Sequence, residues 1–157
     1  MKYHLAQINI ARMLAPIDSD IMADFVNNLD RINALAEQSE GFVWRLAEEG
    51  NNATTVQLFD HEFYIVNMSV WTSVDALFQF TYKTAHVEIF KRRKEWFSKM
   101  QDMHMALWYV EAGTIPSTSE AKRRLDYLNA NGESPYSFTF KRNFTLEESL
   151  NYKPVKC

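Results

Sequence analysis

The chain has 157 residues, of which 46% are hydrophobic and 14% aromatic, and its formal net charge is −3. This length fits one domain that buries its own core, so folding requires neither disulfides nor a structural metal. Nucleic-acid-binding domains are usually basic, whereas the pI here is about 5.8. The one dense basic run, Lys91 to Lys94, falls in a helical pattern that spreads its charges around the helix. We therefore expect no nucleic-acid partner.

Cysteine content and hydropathy exclude further classes of protein. The single cysteine, Cys157, excludes an intramolecular disulfide and a cysteine-based zinc site within one chain, and it suits a reducing cytoplasm. Residues 1–7 lack the apolar core of a signal peptide. No stretch approaches the roughly 18 apolar residues of a membrane span. We expect a cytoplasmic protein without a membrane partner.

The first half of the chain predicts strands on either side of one helix. The helix begins in the acidic segment 16–20, repeats apolar residues every three or four positions, and ends near Gly41. The predicted strands are 3–10, 42–46 and 63–71, with a short extra one at 54–59.

The strand at 63–71 has two different faces because side chains alternate along a strand. Its even positions, from Tyr64 to Val70, are wholly apolar or aromatic. Its odd positions add two small polar groups, Asn67 and Ser69, among large rings that include Trp71. One face of this strand is thus typical of a core, and the other is compatible with a polar pocket.

The second half begins with a capping box at 72–75 that opens a long helix to about residue 100. A strand at 105–112 follows, then a helix from a second capping box at 117–120 to Asn131-Gly132. A last short strand is predicted at 137–140, and residues 142–157 are expected to form a loose C-terminal tail with one helical turn at 145–148.

This order, β-α-β-β-α-β plus a C-terminal helix, predicts a single α+β domain over residues 1–157 with a ferredoxin-like antiparallel sheet. The two long helices would cover one face of the sheet. The remaining elements are too few to cover the other face, so a second copy of the chain is expected to do so in a homodimer.

Along the predicted long helix, one stripe mixes polar groups with large rings. Steps of three and four residues align Tyr82, His86, Phe90, Arg93 and Phe97. Polar groups on a buried helix face cost free energy unless they have partners. They are therefore expected either to pair with one another and the sheet or to face a cavity.

His86 is the strongest candidate for chemistry because an imidazole titrates near neutral pH. Two other interpretations stay open: a core histidine bonded to a carbonyl or to Tyr82, and a haem or metal ligand. A lone histidine lacks the companion ligands of a zinc site, and no metal site is predicted.

Aromatic side chains supply the candidate ligand pocket. Trp44, Trp71 and Trp108 come from three strands and either wall a pocket together or fill the core or a dimer seam. Arg93 either clamps a ligand carboxylate or enolate or forms an ion pair with Glu88, Glu95 or the sheet. The predicted ligand-binding residues are Trp44, Trp71, Phe78, Phe90, Arg93 and Trp108.

Several segments together resemble an uncharacterised family of the dimeric α+β barrel superfamily. They are His4 to Ala11, Gly41 to Leu46, Val66 to Trp71, Ala85-His86, Arg92 to Phe97 and Leu107 to Val110. The resemblance covers roughly residues 3 to 141. Better-known relatives in the superfamily are antibiotic-biosynthesis-type monooxygenases, polyketide cyclases and isomerases, and haem proteins.

The resemblance implies a ligand cavity between the sheet and the helices of each subunit. It favours a small-molecule enzyme without a cofactor, either a monooxygenase or a cyclase/isomerase, that acts on an aromatic or polyketide-like metabolite. Tyr82 and His86 would then handle protons, and Asn67 would orient a carbonyl or enolate. The alternatives are a haem-binding protein that uses His86 and a dimer that binds a small ligand without catalysis.

Overall fold

The computed structural model describes residues 2–46, 64–99 and 104–155. Within these ranges the strands are β1 (Tyr3–Arg12), β2 (Phe42–Arg45), β3 (Tyr64–Trp71) and β4 (Met105–Glu111). The helices are α1 (Ala23–Gln38), α2 (Val74–Lys83), α3 (His86–Lys91), α4 (Thr118–Asn131) and α5 (Leu146–Asn151), and a single 3-10 turn spans Arg93–Glu95.

The four strands form an antiparallel sheet in the order β2-β3-β1-β4. The central strand β1 pairs with β3 from Leu5↔Trp71 to Arg12↔Tyr64, and with β4 from Tyr3↔Glu111 to Asn9↔Met105. This is the predicted ferredoxin-like arrangement, so the fold-class prediction is confirmed. The extra strand predicted at 54–59 lies outside the described residues.

The two faces of the sheet pack against different helices. Even-numbered residues such as Ile8, Met68 and Trp108 form one core cluster with residues of α4, including Leu125. Odd-numbered residues, among them Leu5, Trp71 and Leu107, form a second cluster with residues of α1 and α2. Alternation along the strands therefore assigns each side chain to one of two layers.

The covered second face overturns the reason given above for a homodimer. Ile8, Val66 and Trp108 on that face are at most 1% exposed within a single chain, and α4 packs on them. No partner sheet is needed to bury these residues. The expectation that the second face lacks cover was wrong because it did not foresee α4 against the sheet.

The long helix predicted to run to about residue 100 is also corrected, because it ends at Lys83. Thr84 is extended, with φ −120° and ψ −177°, and the chain re-enters the short helix α3 at His86. The Thr84 hydroxyl donates to the Phe80 carbonyl at 2.6 Å, so this β-branched residue caps the helix end with its own side chain.

Helix starts follow the predicted capping residues only in part. The hydroxyls of Ser73 and Ser117 each accept a backbone N–H three residues on, as expected. A reciprocal capping box forms between Thr145 and Glu148 at the start of α5. α1 begins at Ala23 rather than in the acidic segment 16–20, so Ile21 lies outside the helix and is 54% exposed.

The C-terminal segment is more ordered than predicted. α5 occupies Leu146–Asn151, and the Tyr152 hydroxyl lies 2.6 Å from the Tyr127 hydroxyl of α4. The Ser149 hydroxyl donates to the Pro135 carbonyl at 2.7 Å. The helix is longer than the single turn predicted at 145–148, and these two contacts attach it to α4 and to Pro135. The strand predicted at 137–140 is replaced by isolated bridges, one of which joins Phe138 to Leu107.

Gly41 offers a test of this packing because it lies where β2 meets the start of α2. Its φ is +86°, and an added Cβ would lie 2.5 Å from the Ala76 Cβ. We expect Gly41→Ala to lower the free energy of unfolding by about 3 kcal/mol or more, since left-handed strain and a clash with the Ala76 Cβ add together. The measurement is urea unfolding, read from the midpoint at constant m-value.

Gly113→Ala is the matched control. Gly113 has a similar φ of +91° but nothing within 4 Å of the added Cβ. We expect a loss of only about 1 kcal/mol there, from backbone strain alone. Equal losses in the two variants would contradict the close approach of Gly41 to α2.

Candidate functional site

Polar side chains cross the middle of the odd-numbered face of the sheet. The strand register aligns Arg45 with Ser69, Ser69 with Gln7, and Asn67 with Asn9. Paired residues in an antiparallel sheet share a face and lie close together. The result is a polar row (Arg45, Ser69, Gln7, Asn67 and Asn9) on the side of the sheet that the first helices cover.

Gln7 connects this row through hydrogen bonds. Its Nε2 donates to the Asn67 Oδ1 at 2.6 Å and to the Ser69 Oγ at 2.8 Å. The Trp71 indole N–H also donates to the Ser69 Oγ, at 2.8 Å. Gln7 and Ser69 are buried, so these bonds offset the cost of removing their polar groups from water.

One end of the polar row is exposed, at Asn67 and Asn9, and we call this part of the sheet face the opening. Hydrophobic clusters flank it on the same face: one contains Leu5 and Trp71, and the other contains Ile65 and Met13. Asn67 and Asn9 are exposed even though they lie on the face that the helices cover. Of the residues of α1, only Ala36 is buried. Within the described ranges, the helices therefore leave Asn67 and Asn9 exposed on this face.

His86 is held in one orientation by the backbone. Its Nδ1 lies 3.0 Å from the Thr81 carbonyl oxygen. A carbonyl can only accept, so Nδ1 carries the proton, and in the neutral ring Nε2 keeps its lone pair. The Thr81 carbonyl is available because α2 ends at Lys83, which leaves the last carbonyls of the helix without their usual N–H partners.

The surroundings of His86 keep the ring neutral. Desolvation by burial lowers its pKa below the ordinary value of 6.5 and outweighs the hydrogen bond to Thr81, which raises it. The ring contacts Phe80 at a centroid distance of 5.0 Å, and Phe80 stacks on Trp71 at 5.1 Å. A neutral imidazole with a free Nε2 is equipped to accept a proton near neutral pH.

His86 lies between the two clusters that flank the polar row. Phe80, in contact with its ring, belongs to the cluster of Trp71, while Ile89 on the next turn belongs to the cluster of Ile65. Trp71 and Ile65 stand on β3 on either side of Asn67 and Ser69. These contacts place His86 on the side of the sheet that carries the polar row.

The predicted stripe on the second long helix is only partly realised. Phe90 lies 6.0 Å from Tyr82 and 6.4 Å from His86 between ring centroids, and the Arg93 guanidinium lies 4.3 Å above the Phe90 ring. Phe97 leaves the stripe and packs against Phe25 at 5.0 Å. The break at Thr84 redirects the chain, so a single continuous stripe does not form.

Tyr82 and Arg93 are more exposed than His86. Tyr82 and Phe78 are each 36% exposed and pack against each other with tilted rings at 4.8 Å, next to Phe140. Arg93 is exposed and donates to the Phe90 carbonyl at 3.0 Å, whereas the predicted ion pair with Glu95 belongs to Arg92. These side chains border the His86 region from outside.

The three strand tryptophans do not wall one pocket. Trp71 lies on the odd-numbered face beside Ser69. Trp108, which is fully buried, and Trp44 pack in the cluster on the opposite face. The sheet itself separates them, because neighbouring positions on a strand point to opposite sides. The prediction that all three indoles line one site is corrected on this point.

The opposite face carries an unusual pair of donors under α4. The Trp108 Nε1 and the Arg124 Nε are buried, and neither has a hydrogen-bond partner among the described residues. The Arg124 guanidinium instead lies 3.8 Å above the Tyr136 ring and donates to the Tyr136 carbonyl, and burial lowers the pKa of Arg124. An unsatisfied buried donor costs about 1–3 kcal/mol.

Sequence reasoning missed Gln7, Ser69 and Thr81 as members of the site. Ser69 was recognised as polar, but its partner Gln7 lies 62 positions away and is identified only by the strand register. Thr81 acts through its carbonyl, which no side-chain motif reveals. The alternation along β3 was the one signal that pointed to this face.

No cluster of three or more His, Cys, Asp or Glu side chains is arranged to hold a metal ion within the described ranges. In the same ranges, no helix combines the length and the apolar character that a membrane crossing requires.

The geometry of His86 predicts its ring chemistry. We expect the Nδ1–H tautomer near pH 7.5 and a pKa below 6.5, because the Thr81 carbonyl selects the tautomer and burial disfavours the charged ring. Ring ¹⁵N shifts followed through a pH titration measure both. An Nε2–H tautomer would contradict the assigned hydrogen bond.

The lowered pKa of His86 also predicts how the stability of the fold changes with pH. Because the folded pKa is depressed, the unfolded chain binds the proton more readily, so stability falls as pH drops through the unfolded value of 6.5. We expect the unfolding free energy of His86→Gln to differ less between pH 7.5 and pH 5.5 than that of the wild type. His4→Gln, on the opposite face of the sheet, is the control variant.

Several solved structures are similar to part of this chain. Similar solved structures include the cofactor-independent oxygenase SnoaB from Streptomyces nogalater, at 17% identity and a TM-score of 0.49 over 73% of this chain and 98% of that one. A protein of unknown function from Nitrosomonas europaea matches at 12% identity and a TM-score of 0.46 over 73% of this chain and 96% of that one. A Pseudomonas aeruginosa protein matches at 14% identity and a TM-score of 0.48, over 73% of this chain and 98% of that one.

No curated protein matches the chain. A family model matches residues 4–153, nearly the whole sequence, which confirms the predicted kinship with an uncharacterised family. The chain belongs to the domain of unknown function family DUF3291.

Proposed function

We propose that this chain is a small-molecule enzyme that removes a proton beside a carbonyl of an aromatic or polyketide-like metabolite, without a cofactor. The enolate then either reacts with dioxygen, as in a monooxygenase, or rearranges, as in a cyclase or isomerase. The observation that supports the proposal is a neutral His86 with Nδ1 held by the Thr81 carbonyl, packed on Phe80 on the same side of the sheet as the exposed amide of Asn67.

The two groups have complementary roles in enolate formation. The His86 Nε2 accepts the proton, and the Thr81 carbonyl stabilises the imidazolium that results by accepting from Nδ1–H. The Asn67 Oδ1 already accepts from Gln7, so its amide hydrogens are available to the oxygen that gains charge. Rings next to His86, including Phe80 and Phe90, suit an aromatic substrate.

Oxidation of an anthrone serves as the test reaction. Its ring methylene becomes a carbonyl with one oxygen atom of O2, and the two methylene hydrogens leave with the other oxygen atom as water. Dithranol, a hydroxylated anthrone, is the probe, and quinone absorbance and oxygen uptake are the readouts. Equal amounts of quinone formed and oxygen consumed, above the rate without protein, support the monooxygenase fate.

Substitution of the two central residues sharpens the test. We expect His86→Gln to lower kcat by about 10²–10⁴-fold, the usual contribution of a general base. We expect Asn67→Ala to lower kcat by about 10²–10³-fold, through loss of one donor to the oxyanion. His4→Gln is the matched control and should retain the wild-type rate. A pH–rate profile unchanged by His86→Gln would exclude the role of His86 as base.

If dithranol binds without oxygen uptake, the result favours a cyclase or isomerase over a monooxygenase. In that case, exchange of the methylene protons with deuterated water still reports enolate formation, and it should disappear in His86→Gln. Binding with neither oxidation nor exchange would favour a ligand-binding protein without catalysis.

A haem protein is the alternative that the geometry of His86 also favours. A histidine whose Nδ1 donates to a carbonyl presents Nε2 to a metal, which is the usual arrangement of an imidazole ligand. The test is addition of haemin: a Soret shift that is lost in His86→Gln but kept in His4→Gln supports haem binding.

The homodimer and the cytoplasmic location stay predictions. A dimer would form through a surface other than the buried even-numbered face, for which exposed apolar residues such as Ile115 and Val155 are available. We expect light scattering to give twice the chain mass of 18.4 kDa. A mass of one chain at all concentrations would rule out the dimer.

A further inference from the structure

We infer that Gln7 is a positioning residue that turns the donor end of Asn67 toward the opening, and that the site therefore takes a ligand through an acceptor oxygen such as a ketone, enolate or phenolate. This inference rests on the proposed function for its effect on turnover. The hydrogen-bond arrangement itself can be tested without any ligand.

The argument begins with the capacity of an amide. The Gln7 Nε2 carries two hydrogens, and the structure uses both: one reaches the Asn67 Oδ1 at 2.6 Å and the other the Ser69 Oγ at 2.8 Å. Gln7 is 5% exposed in the central strand and cannot exchange these partners for water. Its side chain is therefore fixed by two neighbours on β3.

Trp71 fixes the other side of the network. Its indole N–H can only donate, and it reaches the Ser69 Oγ at 2.8 Å. The Ser69 oxygen thus accepts from both Trp71 and Gln7, which fills its two lone pairs. Trp71 is 1% exposed and is stacked on Phe80, so this anchor is rigid.

Asn67 is the end of the network that meets solvent. Its oxygen is taken by Gln7, while the residue itself is exposed. An asparagine without such a partner could present either its oxygen or its amide group. With Gln7 in place, the amide hydrogens point away from the sheet, as recognition of an acceptor oxygen requires. Specificity for an acceptor then begins at a residue that itself touches no ligand.

The test without ligand uses side-chain amide protons. In the wild-type protein we expect the Gln7 amide protons to exchange slowly with deuterated water and those of Asn67 to exchange fast, as followed by ¹⁵N-resolved NMR. Slow exchange at Asn67 with fast exchange at Gln7 would show that both amides are turned the other way, and it would overturn the inference.

The test with turnover is a double-mutant cycle on dithranol oxidation. We expect Gln7→Met to lower kcat by about tenfold with KM little changed, because the donor is needed most for the charged oxygen. In the Asn67→Ala background, the same substitution should cause no further loss, since Gln7 acts through Asn67. Equal losses in both backgrounds, or no loss in either, would overturn the positioning role.

Gln7→Glu replaces the hydrogen-bond donor at position 7 with an acceptor. A carboxylate at this position accepts hydrogen bonds, so it should draw the Asn67 amide toward the sheet and leave Oδ1 at the opening. We expect kcat to fall to the level of Asn67→Ala, and the fast amide exchange of Asn67 to become slow. Fast exchange retained in a folded Gln7→Glu would count against the inference. If no variant and not even the wild type turns over dithranol, the proposed function fails while the exchange data still decide the role of Gln7.

Discussion

The polar row across one face of the sheet constrains the rest of the molecule. Gln7 and Ser69 are buried, so they must be hydrogen-bonded, and their partners are on the neighbouring strand. Helices that packed flat on this row would bury Asn67 and Asn9 with too few partners. The apolar side chains instead gather into clusters on either side of the row, and the opening between them follows from that separation.

The end of α2 supplies the second half of the site. An uninterrupted helix would use the Thr81 carbonyl internally and would carry His86 onward with its neighbours in a regular stripe. Because the helix stops at Lys83, that carbonyl accepts from His86 and sets the proton on Nδ1. A local interruption of regular structure thus produces a base with a defined tautomer, and burial keeps it neutral. The site combines a sheet register with a helix terminus, and neither is sufficient alone.

Much of the fold could be predicted because local patterns and the global fold agree. Alternation on β3 placed Asn67 and Ser69 on one face and the apolar residues on the other, and the capping serines marked the starts of α2 and α4. Prediction failed where a distant contact decides. The periodicity through Thr84 is compatible with one long helix, although α2 ends at Lys83. Residue spacing also does not show that α4 packs on the second face of the sheet.

The sequence by itself determined the order of elements, the antiparallel sheet and the identity of His86 and Asn67 as polar groups among rings. Those features depend on neighbours within a few positions, where periodicity and capping act. Only the tertiary structure decided that Gln7 donates a hydrogen bond to Asn67 and that the Thr81 carbonyl orients His86. It also decided that Trp108 and Trp44 lie on the opposite face of the sheet from Trp71. Each of these depends on strand register or on where a helix stops, and both are settled by packing between segments far apart in the chain.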